Sequence, residues 1–111
     1  MNTLEMYKRL SREDKNNLTV YAIYDSIYDI ARNNDYEISD NEVERLKELS
    51  HYAYIKDEYY KFSPARISDF LTECYIEHNV SLEEMEDAKW NDILEAVDND
   101  DYEFCENEME R

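Results

Sequence analysis

Apolar residues recur at helical spacing along most of this chain. The clearest stripe runs from residue 20 to residue 31, where the apolar positions share one face of an amphipathic helix. Its members are Val20, Ile23, Tyr24, Ile27, Ile30 and Ala31. Ser11 with Asp14 predicts where this second helix begins. Asn33 to Asp35 predict where it ends, because asparagine tolerates the left-handed conformation of a helix C-cap.

Ser39 and Glu42 have the spacing of a capping box, which predicts the start of a third helix. The inner face of this helix comprises Val43, Leu46, Leu49 and Ala53. No breaker follows, so we expect the helix to continue to about residue 60. Residues 54–62 also suit an extended connector, and the sequence leaves that alternative open.

Ser63–Pro64 is the clearest boundary in the chain, because serine caps a helix and proline fits its first turn. The fourth helix that begins here is expected to end at Asn79. Its apolar side comprises Ile67, Phe70, Leu71, Cys74 and His78. Ser81 with Glu84 is another capping box, and it predicts a fifth helix that continues to Val97.

With a short first helix over residues 2–10, these signals predict a compact all-α bundle of about five helices and no sheet. Glycine is absent from the chain, which disfavours a β fold because tight hairpin turns rely on residues at positive φ. A length of 111 residues fits one domain. We expect the helical domain to span residues 1–97 and an acidic tail, partly ordered or frayed, to span residues 98–111.

Charge narrows the classes of function. The chain has 12 basic and 29 acidic residues and a formal net charge of −17. Phosphate neutralisation supplies most nucleic-acid affinity and anionic lipids attract basic segments, so we expect no direct binding to nucleic acid or to a membrane. No apolar run approaches about 18 residues, and no signal peptide is evident. Two cysteines suit free thiols, and a cytoplasmic protein is expected.

Candidate chemistry is sparse. Cys74 and His78 are four residues apart, but zinc needs more ligands and both residues occupy the apolar stripe, so core packing is the better interpretation. A calcium loop beginning at Asp98 fails, because Glu103 and Met109 stand where an EF-hand needs glycine and glutamate. Neither a nucleophile–base arrangement nor a glycine-rich phosphate loop is evident. We expect no enzyme, no metal and no cofactor.

Rows of acidic residues at helical spacing are the most informative feature. Like charges at i, i+4 destabilise a helix by roughly 0.2–0.5 kcal/mol per pair, and ordinary surfaces interleave basic residues to avoid this. Repeated violation of such a local rule suggests a function. The rows are Asp25 and Asp29 on the second helix, Asp40, Glu44 and Glu48 on the third, Asp69, Glu73 and Glu77 on the fourth, and Glu84, Asp87, Glu95 and Asp98 on the fifth.

Charge density gives these rows a physical interpretation. Carboxylates four residues apart are separated by roughly 6 Å along a helix, whereas duplex DNA carries one charge per about 1.7 Å. One row is too sparse to imitate DNA, but several rows exposed together approach its density. We therefore expect the rows to bind a basic nucleic-acid-binding protein, such as a nuclease or its complex. The fourth and fifth helices are the best carriers, because a short link should make them neighbours.

A second interpretation stays open. The chain has eleven tyrosines, and tyrosine is enriched at protein interfaces. Tyr21 and Tyr28 share one face of the second helix, and Tyr52, Tyr59 and Tyr60 are expected to be partly exposed. An acidic interaction module or antitoxin-like regulator would bind its partner through such a tyrosine-rich apolar face. Its complex should survive high salt, and a homodimer is also open.

In composition and in its helix-borne acidic rows, the chain resembles the phage-encoded acidic DNA-mimic inhibitors of the Ocr-like antirestriction and anti-CRISPR type. Those proteins are short, strongly acidic and rich in tyrosine. The resemblance covers most of the chain but includes no motif, so no functional residue carries over by correspondence. It implies inhibition of a host defence enzyme, either a restriction–modification enzyme or a CRISPR nuclease, by occupation of its basic groove in the host cytoplasm.

Overall fold

Six α-helices make up most of the part of the chain that the structure describes. The structure is a computed structural model and describes residues 3–9, 19–58 and 61–102. The helices are α1 (Thr3–Arg9), α2 (Thr19–Asn33), α3 (Asp40–Lys56), α4 (Pro64–Glu77), α5 (Leu82–Asp87) and α6 (Trp90–Asn99). No strand occurs among the described residues, which confirms the predicted all-α fold.

The core lies where α2, α3 and α4 pack against one another. Its fully buried side chains include Ile23, Tyr24, Ile27, Leu46, Ile67, Phe70 and Leu71. Burial of one such side chain stabilises the fold by about 1.5–3 kcal/mol. Around this centre α1 packs on α2, α5 packs on α3, and α6 packs on both α3 and α4. The acidic rows of α2, α3 and α4 are therefore carried by the best-packed helices.

The predicted helix starts at Ser39, Ser63 and Ser81 are confirmed. In the capping box of α3, Glu42 N donates to Ser39 Oγ at 3.2 Å and Ser39 N donates to Glu42 Oε1 at 2.8 Å. Ser81 makes the same reciprocal pair with Glu84 at the start of α5. Ser63 Oγ accepts from Arg66 N at 3.1 Å, and proline occupies the first turn of α4. Each bond satisfies an N–H group that lacks a partner within its helix.

α3 ends at Lys56, short of its predicted end near residue 60; residues 59–60 lie outside the described part. A continued helix would place Asp57 on the buried face, four residues after Ala53. Asp57 is buried although the helix has ended: it adopts φ −78° and ψ 92°, and its carboxylate accepts a hydrogen bond from Phe62 N at 3.2 Å, so the end of the helix supplies a donor to this buried charge. The connector alternative is thus correct for residues 57–58 and 61–62, while residues 54–56 are helical.

The predicted fifth helix is wrong as one continuous element. It is broken at Ala88 and Lys89, which are both extended, with ψ 151° and 154°. A continuous helix would carry Lys89 on the buried face, four residues from both Met85 and Ile93. The break leaves Lys89 exposed while α5 and α6 each bury their own apolar residues.

Two predicted boundaries remain, the start of the second helix and the end of the helical domain. The predicted start of the second helix at Ser11 lies outside the described residues, which show that helix from Thr19. α6 continues two residues past Val97, so Asp98 belongs to the helix rather than to a tail. Asp100 then adopts a left-handed conformation with φ 51° and closes the helix. The rest of the predicted tail, residues 103–111, lies outside the described part.

Candidate acidic interface

Two acidic rows meet where α2 packs against α4. Asp25 and Asp29 from α2 and Asp69 from α4 line a concave site of about 220 Å³, together with Ser26 and two alanines. The alanines, Ala22 and Ala65, leave this space because their side chains are short. Glu73 and Glu77 extend the α4 row along the helix. We call these five carboxylates, Asp25, Asp29, Asp69, Glu73 and Glu77, the acidic groove.

Asp69 is half-buried, and Ser26 Oγ donates a hydrogen bond to its Oδ1 atom. Burial is the main cause that raises the pKa of Asp69, and the negative charge of Asp29 raises it further. The hydrogen bond from Ser26 and the charge of Arg66 oppose that rise in the pKa. Carboxylates of α2 and α4 therefore lie close enough to repel each other.

Glu73 is also half-buried and accepts a hydrogen bond from Tyr102 Oη at 3.2 Å. Its pKa is raised, first by burial and then by the charges of Glu77 and Asp69. Glu77 is exposed at the end of the row and accepts from Asn34 Nδ2 at 3.1 Å. Along the α4 row, Asp69 and Glu73 are therefore partly buried and Glu77 is exposed to solvent.

Two arginines compensate part of this charge. Arg32 pairs with Asp29 on the same helix. Arg66, on the same helix as Asp69, lowers the pKa of Asp69 through its positive charge. Its guanidinium, however, forms its salt bridge with Asp100 Oδ1, at 2.8 Å. Within the described residues, the three carboxylates of the α4 row form no salt bridge. The groove keeps an excess of negative charge.

The α3 row lies on a different side of the molecule. Glu44 accepts a hydrogen bond from Tyr24 of α2, so this row follows the contact between α2 and α3. Tyr24 and Asp25 are consecutive and point about 100° apart around α2. Asp40 pairs with Lys8 at 2.9 Å, and Glu48 pairs with Lys47 at 2.6 Å. The α3 row is therefore not brought into the groove.

The predicted row on the fifth helix is divided by the break at residues 88–89. Glu84 is engaged in the capping box of α5, and Asp87 is exposed at the end of that helix. Glu95 and Asp98 lie on α6, where Asp98 pairs with Lys61 at 3.3 Å, and both line a separate pocket. These four residues consequently do not follow one side of one helix.

Tyrosine hydroxyls bind three of the described carboxylates, Glu42, Glu44 and Glu73, a feature that the sequence did not predict. Tyr36 Oη donates to Glu42 Oε2 at 2.6 Å, and Tyr75 donates to the same oxygen. Burial is the largest influence on the pKa of Glu42 and would raise it. Hydrogen bonds from Tyr36, Tyr75 and Ser39 outweigh burial and lower the pKa to about 2. Hydroxyls satisfy these carboxylates without neutralising their charge, so hydrogen bonding here preserves the net negative field.

The predicted tyrosine-rich face is only partly available. Tyr21 is 5% exposed and belongs to the core, and Tyr28 is half-buried. Tyr59 and Tyr60 lie outside the described residues. Tyr52, at 39%, is exposed on α3. The second helix therefore offers little tyrosine surface to a partner.

The expected core packing of Cys74 and His78 is half right. Cys74 is fully buried, but His78 is exposed and stacks on Tyr102 with ring centroids 4.5 Å apart. Among the described residues, no group of three or more His, Cys, Asp or Glu side chains has an arrangement that could hold a metal ion. None of the described helices is both long enough and apolar enough to cross a membrane.

Comparison with known protein families, with curated proteins and with solved structures finds no match for this chain.

Proposed function

We propose that this protein inhibits a nucleic-acid-binding enzyme by occupying the enzyme's basic groove as a mimic of DNA. The observation that carries the proposal is the acidic groove, in which carboxylates from two neighbouring helices converge. The protein itself has no catalytic role in this proposal. Its partner is a host defence enzyme, such as a restriction–modification enzyme or a CRISPR nuclease, in the cytoplasm of the host cell.

Charge density supports the proposal for a short length of duplex. Asp69 and Glu77 are eight residues apart, which is about 12 Å of helix. Duplex DNA carries about seven charges over that length. The groove has five carboxylates, of which three line the concave site. Asp29 is paired with Arg32, and the three carboxylates of the α4 row form no salt bridge within the described residues. The charge of the groove is therefore somewhat lower than that of DNA, over about a third of a duplex turn.

The tyrosine–carboxylate pairs favour an electrostatic function. A hydroxyl satisfies the hydrogen-bonding capacity of a carboxylate and keeps its negative charge, whereas lysine or arginine would neutralise that charge. Glu42, Glu44 and Glu73 are each bound by at least one tyrosine hydroxyl, and of these three Glu73 belongs to the acidic groove. Such bonds fix the position of a charge and leave the charge to act at a distance. Fixed, uncompensated charge is what a basic groove would recognise.

An acidic interaction module is the second candidate. Ile55 and Tyr52 are three residues apart on α3 and are 59% and 39% exposed. They form a small apolar surface that could contact a partner without electrostatic attraction. A complex built on this surface would persist at high salt, because apolar burial is not screened by ions.

Capture followed by competition distinguishes the two candidates. The immobilised protein is incubated with a bacterial lysate, and the bound fraction is eluted with duplex DNA. Mononucleotides at equal phosphate concentration serve as the control, because they carry the charge without the duplex geometry. Mimicry predicts that duplex DNA releases a nucleic-acid-binding enzyme and that mononucleotides do not. A captured partner that does not bind nucleic acid, or that duplex DNA fails to release, would exclude mimicry in favour of the interaction module.

A further inference from the structure

A second concave site lies between the C-terminal end of α3, the connector at residues 61–62 and α6. It has a volume of about 380 Å³, within the range of sites that hold small ligands. Phe62, Trp90 and Leu94 are half-buried and form its apolar wall. Glu95 and Asp98 are exposed on its α6 side. We call this site the aromatic pocket.

The pocket already holds a cation of its own chain in a defined position. Lys61 Nζ lies 3.3 Å from Asp98 Oδ1 and 5.6 Å from the centre of the Phe62 ring. The ammonium group thus contacts a carboxylate and an aromatic face together. Asp57 fixes the wall, because its buried carboxylate accepts the hydrogen bond from Phe62 N.

The pocket also has carboxylates that could pair with a second cation. Glu58 and Glu95 line it in addition to Asp98, and neither forms a salt bridge among the described residues. Four carboxylates line the pocket against two lysines, Lys56 and Lys61. A guest with positive charge and a flat, weakly hydrated surface suits both this charge and the indole of Trp90. Among side chains, arginine has these properties, since its guanidinium stacks on aromatic rings and pairs with carboxylates.

We propose that the aromatic pocket binds an arginine side chain of the partner enzyme. The proposal rests on the proposed function, because a groove that binds DNA presents arginines to phosphates. The guanidinium stacks against Trp90 and pairs with Glu95, while the aliphatic stem of the arginine covers Leu94. The pocket adds an apolar and directional contact to the diffuse attraction of the acidic groove.

The fluorescence of Trp90 reports binding directly, because the chain has one tryptophan. The full-length protein is titrated with the peptide acetyl-Gly-Arg-Gly-amide. The matched control is the same peptide with citrulline, which keeps the shape of arginine and removes its charge. We expect saturable binding of the arginine peptide with a dissociation constant on the order of millimolar. A citrulline peptide that binds equally well would overturn the proposal.

Three variants locate the site. Glu95→Gln should weaken the arginine peptide by about three- to tenfold, the usual range for one charge-assisted pair. Asp92→Asn is the control, since it removes one charge from the same helix outside the pocket. Lys61→Ala should instead strengthen binding by about threefold, because it frees Asp98. A gain in affinity cannot result from misfolding, and unchanged binding in both Glu95→Gln and Lys61→Ala would exclude the pocket.

The proposal for the aromatic pocket and the proposal of DNA mimicry can be refuted independently. If duplex DNA releases the captured enzyme but the arginine peptide does not bind, the pocket proposal is wrong and mimicry stands. If the peptide binds at the pocket but duplex DNA does not release the enzyme, mimicry is wrong. The pocket would then belong to an interaction module that recognises arginine.

Discussion

Replacement of Tyr75 by phenylalanine tests whether tyrosine hydroxyls stabilise the carboxylates. Tyr75 of α4 donates a hydrogen bond to Glu42 of α3, and Tyr36 donates to the same carboxylate oxygen. Tyr75→Phe removes one hydroxyl and keeps the ring, which packs edge-on against Tyr36 with centroids 6.0 Å apart. The substitution therefore removes the hydrogen bond to an ionised group together with the 3.3 Å contact between the hydroxyls of Tyr36 and Tyr75.

The expected cost follows from the exposure of the acceptor. A hydrogen bond to a charged group is worth about 1.5–3 kcal/mol. Glu42 is half-buried and keeps its bonds from Tyr36 and from Ser39 N, so water and these donors replace part of the loss. We expect Tyr75→Phe to lower the free energy of unfolding by about 1.5 kcal/mol near neutral pH. At about 4 °C per kcal/mol, the melting temperature should fall by about 6 °C.

The pH dependence of this cost has a definite sign. The pKa of Glu42 is about 2 in the folded protein, below its ordinary value of 4.5. A carboxyl group whose pKa is depressed by folding stabilises the fold above its unfolded pKa. That stabilisation is lost as the pH falls from 4.5 toward 2. The unfolded pKa is the same in both proteins, so the difference between the wild type and Tyr75→Phe should shrink only as the pH falls toward the folded pKa of about 2.

Urea unfolding followed by circular dichroism, at about pH 7 and about pH 3, measures both effects. Tyr52→Phe is the matched control, because Tyr52 is exposed on α3 and no hydrogen bond of its hydroxyl is seen within the described residues. Its cost should stay within about 0.5 kcal/mol. The reasoning is refuted if Tyr75→Phe costs no more than Tyr52→Phe, or if its cost is the same at both pH values.

Three further predictions concern charge and packing. The melting temperature should rise with added salt near neutral pH, because salt screens the repulsion among the carboxylates: the Debye length falls from about 10 Å at 0.1 M to about 3 Å at 1 M. A melting temperature that does not change with salt would mean that the carboxylates are too far apart to repel one another. Tyr102→Phe keeps the stacking on Phe70, at 5.0 Å between centroids, and loses only the bond to Glu73, so it should cost under about 1.5 kcal/mol. Tyr102→Ala also loses the stacking and, because Tyr102 is half-buried, should cost about 1–2 kcal/mol more than Tyr102→Phe; equal costs in urea unfolding would show that the stacking contributes nothing. Asp69→Asn should increase stability near neutral pH, because the pKa of Asp69 is raised by burial and its ionisation therefore lowers stability as the pH rises. Asparagine can still accept the hydrogen bond from Ser26, and a decrease in the free energy of unfolding would contradict this sign.

Local signals predicted much of the fold because they act over a few residues. Ser39, Ser63 and Ser81 each accept a hydrogen bond from the backbone N–H three residues ahead. Their capping can therefore be predicted from four consecutive residues. The helix ends were harder to predict. α3 stops at Asp57, whose buried carboxylate accepts a hydrogen bond from Phe62 N of the connector. The last helix breaks at Lys89, where a continued helix would bury a lysine side chain. Which face is buried depends on the packing of other helices.

The candidate site was predictable only in part for the same reason. Spacing identified the row of Asp69, Glu73 and Glu77, since residues four apart share a helix face. It could not show that this row meets the α2 row, because that depends on how α2 packs on α4. The tyrosine–carboxylate pairs join residues distant in sequence: Tyr24 and Glu44 are 20 positions apart, and Tyr75 and Glu42 are 33 apart. No local pattern contains such a pair.

The affinity of two charge-matched variants for the captured enzyme tests the central claim most directly. The groove variant carries Asp29→Asn, Asp69→Asn and Glu77→Gln. The control variant carries Glu37→Gln, Glu83→Gln and Asp92→Asn, which lie outside the groove. Each variant loses three negative charges, and each loses one arginine-paired acid, Asp29 or Glu83.

Dissociation constants for both variants are measured at one ionic strength, after circular dichroism has verified their helical content. If the acidic groove occupies the site of DNA, the groove variant should bind at least about tenfold more weakly than the wild type, and the control should change by less than about threefold. Equal losses in the two variants would contradict the claim, because binding would then depend on net charge and not on the groove.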